Sequence, residues 1–140
     1  MKDLKTLFRA SDGEMTMSIG DTGKSVSGVE RLAQKITNLL LTDKNSNFWH
    51  PSVGAGIRKI LSSGSSSDSD VASKKSSVVA GIMSAETYVI DSQDSEPLSD
   101  DEKLSSLQVV KLEYNRTTRN WDIDILIETV SGLAYVTSIN

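Results

Sequence analysis

Hydrophobic and polar positions divide the chain into stretches of different period. From Leu4 to Ile19 the alternation is loose and breaks at Asp12-Gly13, a pair that readily takes the positive φ angles of a tight turn. A short hairpin or extended arm is expected there. Ser27-Gly28-Val29-Glu30 then has capping-box spacing, in which a serine hydroxyl and a glutamate satisfy the orphaned amides at a helix start. Val29, Leu32, Ala33, Ile36, Leu39 and Leu40 follow at intervals of three and four, forming one apolar stripe of a helix.

Periodicity stops between Thr42 and Gly56, where Asn45, Asn47, Pro51, Gly54 and Gly56 supply turn chemistry around Phe48 and Trp49. A structured loop is predicted, followed by a short helix from Ile57 to Leu61. Ser62 to Asp70 contains only serine, glycine and aspartate, too little apolar surface to offset ordering entropy, so a flexible insert is expected. Helical spacing returns from Val71 to Gln93 through Val78, Val79, Ile82, Ala85, Glu86, Val89 and Ile90. Its β-branched residues make that helix intrinsically weak, so packing must hold it.

Ser99-Asp100-Asp101-Glu102 repeats the capping-box pattern and predicts a short helical turn ending near Leu104. Beyond it the period falls to two. Leu107 to Tyr114, Trp121 to Glu128 and Leu133 to Ile139 are separated by Asn115 to Asn120 and by a Ser131-Gly132 turn, the pattern of an antiparallel meander. In the middle strand Trp121, Ile123, Ile125 and Ile127 share one face, while Asp122, Asp124 and Glu128 share the other. The expected fold is α+β: an N-terminal arm or hairpin, then two main helices packed on a small C-terminal antiparallel β-meander, in one domain spanning residues 1–140.

Composition narrows the chemistry. Lys and Arg number 15 against 19 Asp and Glu, a net charge of −4 that argues against a surface tracking phosphates, so nucleic acid is not an expected partner. Cysteine is absent, which excludes disulfides, thiolate zinc sites and a cysteine nucleophile, and a single histidine leaves little for an imidazole cage. No metal or cofactor is expected. No apolar run approaches the roughly 20 residues that span a bilayer, and Met1 to Lys5 lacks a secretory signal, so a cytoplasmic chain with no membrane contact is expected.

Local matches to catalytic motifs are poor. Gly23-Lys24-Ser25 resembles the end of a phosphate-binding loop, but Ser18 stands where the first glycine belongs. Asp21-Thr22-Gly23 resembles an aspartic-protease triplet, yet a lysine follows in a polar turn. Carboxylates pair at Asp68 and Asp70, Asp100 and Asp101, and Asp122 and Asp124, in polar segments or on a wet strand face that favour solvated charge. His50 has no second ligand beside it.

The most specific segment is Leu40 to Gly56. Leu40-Leu41-Thr42, six residues, Trp49, one residue, Pro51, two residues, Gly54, one residue and Gly56 make a pattern with a physical rationale. Proline fixes a turn, an aromatic anchors the loop, and glycines permit close backbone approach. This pattern resembles the phage baseplate wedge and sheath-initiator family of contractile tails, which includes lysozyme-like baseplate proteins. Asp43-Lys44-Asn45-Ser46-Asn47 stands where that family usually has Arg-Pro-Gly-Glu-Arg, with Asn45 able to take the glycine's left-handed conformation. Of the family's Glu-Pro-Arg the chain keeps only Glu96-Pro97-Leu98.

The resemblance implies a structural virion subunit, assembled in host cytoplasm and present in several copies around the tail axis. It would link baseplate wedge proteins and tail tube or hub proteins to the tail sheath protein. A cell-wall hydrolase is the alternative that the lysozyme label implies, and a soluble adaptor domain outside any phage particle is a third. Leu133, Ala134, Tyr135, Val136, Thr137, Ser138 and Ile139 are the expected partner-binding strand. No charged residue occurs from Thr129 to Asn140, whereas exposed edge strands usually carry lysine, proline or a bulge.

Overall fold

The computed structural model describes residues 27–46, 48, 53–63 and 67–139, together with the backbone of four short strands nearer the N-terminus. Those strands are β1 (Asp3–Leu4), β2 (Leu7–Arg9), β3 (Met15–Met17) and β4 (Ser25–Val26). β2 pairs antiparallel with β3, placing Phe8 opposite Thr16, as expected of strands flanking Asp12-Gly13. β1 pairs with β4, so the arm is two nested antiparallel pairs.

Helix α1 (Val29–Leu41) buries Leu32, Ala33, Ile36, Thr37, Leu39 and Leu40. Its start corrects the expected capping box: the N-cap is Gly28, at φ 62°, and no side chain of the local segment caps it. Instead the Gly28 amide donates to the Glu102 carboxylate at 3.3 Å, and Arg31 lies 3.9 Å from the same carboxylate. The reach-back that Glu30 was expected to make is made by a buried acid far along the chain. Such a charge also favours the positive end of the helix dipole.

Helix α2 (Ile57–Ser62) is short and buries Ile57. Helix α3 (Asp68–Gln93) begins where Ser67 accepts the Asp70 amide at 3.2 Å, so Asp68 to Asp70, read above as part of the flexible insert, form its first turn. Acidic residues at a helix N-terminus are favoured by its dipole, an effect stronger here than the general polarity of the segment. Residues 64–66 of that insert lie outside the described residues. The buried stripe of α3 is Val78, Ile82, Ala85 and Val89, whereas Val79 and Ile90 are more than a third exposed and Glu86 is half-buried. The stripe is thus narrower than the sequence spacing suggested.

Strands β5 (Leu104–Asn115), β6 (Asn120–Thr129) and β7 (Ala134–Ile139) form an antiparallel sheet in the order β5-β6-β7. Trp121, Ile123, Ile125, Ile127 and Thr129 of β6 are buried and the intervening residues half-buried, as the alternation predicts. α3 lies along β5 and α1 along β7, so helices cover one face and the core lies between two layers. Ser99 to Glu102 forms the single turn expected before Leu104, closed by the Glu102 amide donating to the Ser99 carbonyl at 2.9 Å. The three helices on a small antiparallel sheet make an α+β fold.

Candidate functional site

The β6-β7 connection fixes which backbone groups of β7 face outward. The Thr129 amide donates to the Leu133 carbonyl at 2.9 Å, and Gly132, at φ 85°, donates back to the Thr129 carbonyl at 3.0 Å. That is a three-residue hairpin loop with glycine in the left-handed position. Thr129 and Leu133 are therefore a hydrogen-bonded pair, and the bonded pairs recur at alternate positions. Ile127 with Tyr135, Ile125 with Thr137 and Ile123 with Ile139 continue the series. Ala134, Val136 and Ser138 must then direct their N–H and C=O groups away from β6, along the open side of the sheet.

Neighbouring segments hold this strand firmly. Val130 donates to the Lys103 carbonyl at 3.0 Å and Ser131 to the Asp100 carbonyl at 3.1 Å, tying the hairpin loop to the preceding turn. Within the core, Thr137 and Thr37 share a hydrogen bond of 3.2 Å that links β7 to α1. Yet Leu133, Tyr135 and Val136 remain 48%, 39% and 50% exposed. Among the described residues no side chain bonds the outward backbone of β7, and no bulge interrupts its register with β6. Of the expected partner-binding strand, Leu133 to Val136 are exposed, Ser138 is half-buried, and Thr137 and Ile139 point into the core.

The β5 edge is built differently. The same alternation directs the backbone of Leu104 and Leu107 outward, and α3 meets both. Gln93 accepts the Leu104 amide and donates to the Leu104 carbonyl at 3.2 Å, acting as a short substitute strand. Glu86, two helical turns earlier on α3, accepts the Leu107 amide at 2.9 Å. Register shifts lie between Leu104 and Ser106 and between Val109 and Lys111. Charge follows: Lys111 donates to Asp122 at 3.3 Å and lies 3.7 Å from Glu113. The hydrogen bond to Asp122, reinforced by its charge, raises the Lys111 pKa above the ordinary lysine value. Nothing local in the sequence marked Gln93 or Glu86 for this role.

The loop motif is only partly visible. Trp49, Pro51 and His50 lie outside the described residues, as do residues 21–24 of the two motif fragments. Thr42 donates through its hydroxyl to the Asn38 carbonyl at 2.6 Å and closes α1. Ala55 donates to the Leu39 carbonyl at 3.2 Å and Gly56 to the Thr42 carbonyl at 3.1 Å, so the two ends of the loop are bonded together. At Gly54, φ is 117° and a Cβ would run into the Thr42 carbonyl oxygen, which leaves glycine as the residue that fits. Asn45 stands at φ 66°, the left-handed conformation expected of it.

The carboxylate pairs are dispersed. Asp68 pairs with Arg116 in the β5-β6 turn, Asp70 lies 3.3 Å from Lys74, Asp100 lies 3.8 Å from Lys103, and Asp122 bonds Lys111. A depression beside α2 carries Lys44, Arg58 and Lys59 around Asp43 and contains none of these pairs. Among the described residues there is no cluster of His, Cys, Asp and Glu suited to a metal, and no helix long and apolar enough to cross a membrane.

Among the described residues, fold and site define a two-layer α+β module whose sheet has one edge held at Leu104 and Leu107 by α3 and one edge whose outward groups meet no side chain. Comparison with family models, curated proteins and solved structures finds no match to the chain.

Proposed function

We propose that this chain is a structural subunit of a contractile phage tail baseplate, and that it holds the first sheath ring by taking a sheath strand along β7. The observation that carries the assembly role is the β7 edge, whose outward groups meet no side chain among the described residues, in a sheet whose other edge is held at Leu104 and Leu107 by α3. The resemblance of Leu40 to Gly56 to wedge and sheath-initiator proteins supplies the particle. Strand addition gives affinity through main-chain hydrogen bonds and register through alternating side chains, which suits a repeated assembly. An incoming strand would bond Ala134, Val136 and Ser138 and extend the exposed Tyr135 and Val136 rows. The helices and the Thr42 to Gly56 loop are then left for wedge and tube or hub proteins. The reading assigns no catalytic residue, metal or cofactor.

Val136→Pro tests it. The Val136 amide faces away from β6, so proline removes an outward donor without breaking the existing ladder. Baseplates reconstituted with this variant are expected to stay folded by circular dichroism but fail to start sheath polymerisation. Normal sheath growth from this variant would overturn the proposal.

A further inference from the structure

We propose that a second copy of this chain covers the β7 edge before assembly, the two β7 strands pairing antiparallel about a twofold axis at Val136. The inference rests on the same open edge as the strand-addition reading and adds a resting state that regulates it. A twofold axis at Val136 pairs Val136 with its counterpart and Ala134 with the counterpart of Ser138. Every outward N–H and C=O of the three residues then finds a partner, which no other centre on the strand achieves. On the helix-covered face the exposed Tyr135 comes opposite Thr137, and Leu133 opposite Ile139. On the other face Leu126, Val136, Val136 and Leu126 form one apolar row across the joined sheets.

Charge permits this contact. Two copies of a chain with net charge −4 repel, but from Thr129 to Asn140 neither contributes a charged side chain. The nearest opposed carboxylates sit one strand back on each side: Asp124 lies beside Ser138, and Glu128 beside Ala134. Pairing about Val136 places Asp124 and the other copy's Glu128 three strand spacings apart, about 14 Å. That exceeds the Debye length of about 8 Å at physiological salt, so the repulsion is screened. The β5 edge offers a poorer route, because Gln93 and Glu86 hold the outward groups of Leu104 and the Leu107 amide, and register shifts and the charges of Lys111 and Glu113 interrupt the rest. One strand pair buries little area, so the dimer is weak and yields to a better strand.

The chain has no cysteine, so one introduced thiol reports cleanly. In a hydrogen-bonded antiparallel pair the Cα atoms lie about 5.5 Å apart, within disulfide range. Purified Val136→Cys is expected to form a covalent dimer under mild oxidation, whereas Val110→Cys, 63% exposed on the opposite edge, is not. The unmodified chain should rise in sedimentation from 15.2 kDa towards twice that mass with concentration, and Val136→Lys should stay monomeric. A monomer at all concentrations, or equal cross-linking from both cysteines, overturns the self-paired state. If sheath initiation still depends on β7 in that case, the strand-addition reading stands without it; if β7 is dispensable for initiation, that reading falls separately.

Discussion

The two edges of one three-stranded sheet meet water under opposite terms. On β5 the outward amides of Leu104 and Leu107 are taken by Gln93 and Glu86, register shifts bend the strand, and Lys111 and Glu113 add charge. On β7 the outward groups of Ala134, Val136 and Ser138 meet no side chain among the described residues, the register with β6 is regular, and charge is absent. Both edges flank the same buried strand, so sheet geometry alone does not explain the difference. An edge is sealed by what the rest of the fold places over it, and here α3 has been fitted to one side only. Proteins that leave such an edge exposed accept an aggregation hazard, which makes a use for the open edge the economical explanation.

The largest effect is expected at Gln93. Gln93→Leu keeps the side chain's bulk but leaves the buried N–H and C=O of Leu104 unpaired, at a cost of about 3 kcal/mol. Denaturant titration measures it, and a loss well below 1 kcal/mol would mean that Gln93 is not what seals the edge. Glu86→Ala should cost about 1.5 kcal/mol by freeing the Leu107 amide, and Glu86→Gln, which keeps an acceptor, should recover most of that. The same Glu86→Ala chain should self-associate more than the parent in sedimentation, because the Leu107 amide is then free to take a partner strand. By contrast Val136→Lys should change stability by no more than about 0.5 kcal/mol, since its side chain is half exposed on the open side.

The smallest effect lies in the alkaline limb. Lys111 has its pKa raised by the hydrogen bond to Asp122, so the charged amine binds its proton more tightly when folded. Its contribution to stability is complete below the ordinary lysine value of 10.5 and is lost as pH rises through the higher folded value. Asp122→Asn should flatten the parent's extra loss of stability above that pH, with little change at neutrality. An unchanged alkaline limb would show that the Lys111–Asp122 pair does not stabilise the fold.

Much of this architecture was legible in the chain. The period-two run from Trp121 to Glu128 gave the central strand and its buried face because one face meets helices and the other water. The α1 stripe was clear for the same reason. What escaped were contacts between distant residues. Ser27 and Glu30 have the right spacing for a capping box, yet Glu102, folded back from the sheet, holds the Gly28 amide. Gln93 and Glu86 look like ordinary polar positions on a helix until β5 lies beside them. Ser67 with Asp70 did carry a local signal for the start of α3, but it was submerged in a serine-rich stretch. The absence of charge on β7 was plain from the sequence, whereas the sealing of β5 needed the fold.

The bonded base of the Leu40 to Gly56 segment has a consequence for engineering. Because Leu39 and Thr42 accept amides from the far side of the loop, and Gly54 lies against Thr42, the two ends of the segment are bonded to each other directly. Sequence grafted there adds only slowly to loop-closure entropy, roughly 0.6 kcal/mol for each doubling of length. A short peptide tag inserted at the exposed Asn45-Ser46 turn, ahead of Trp49 and Pro51, should therefore leave Gly54, Gly56 and the sheet edges as they are.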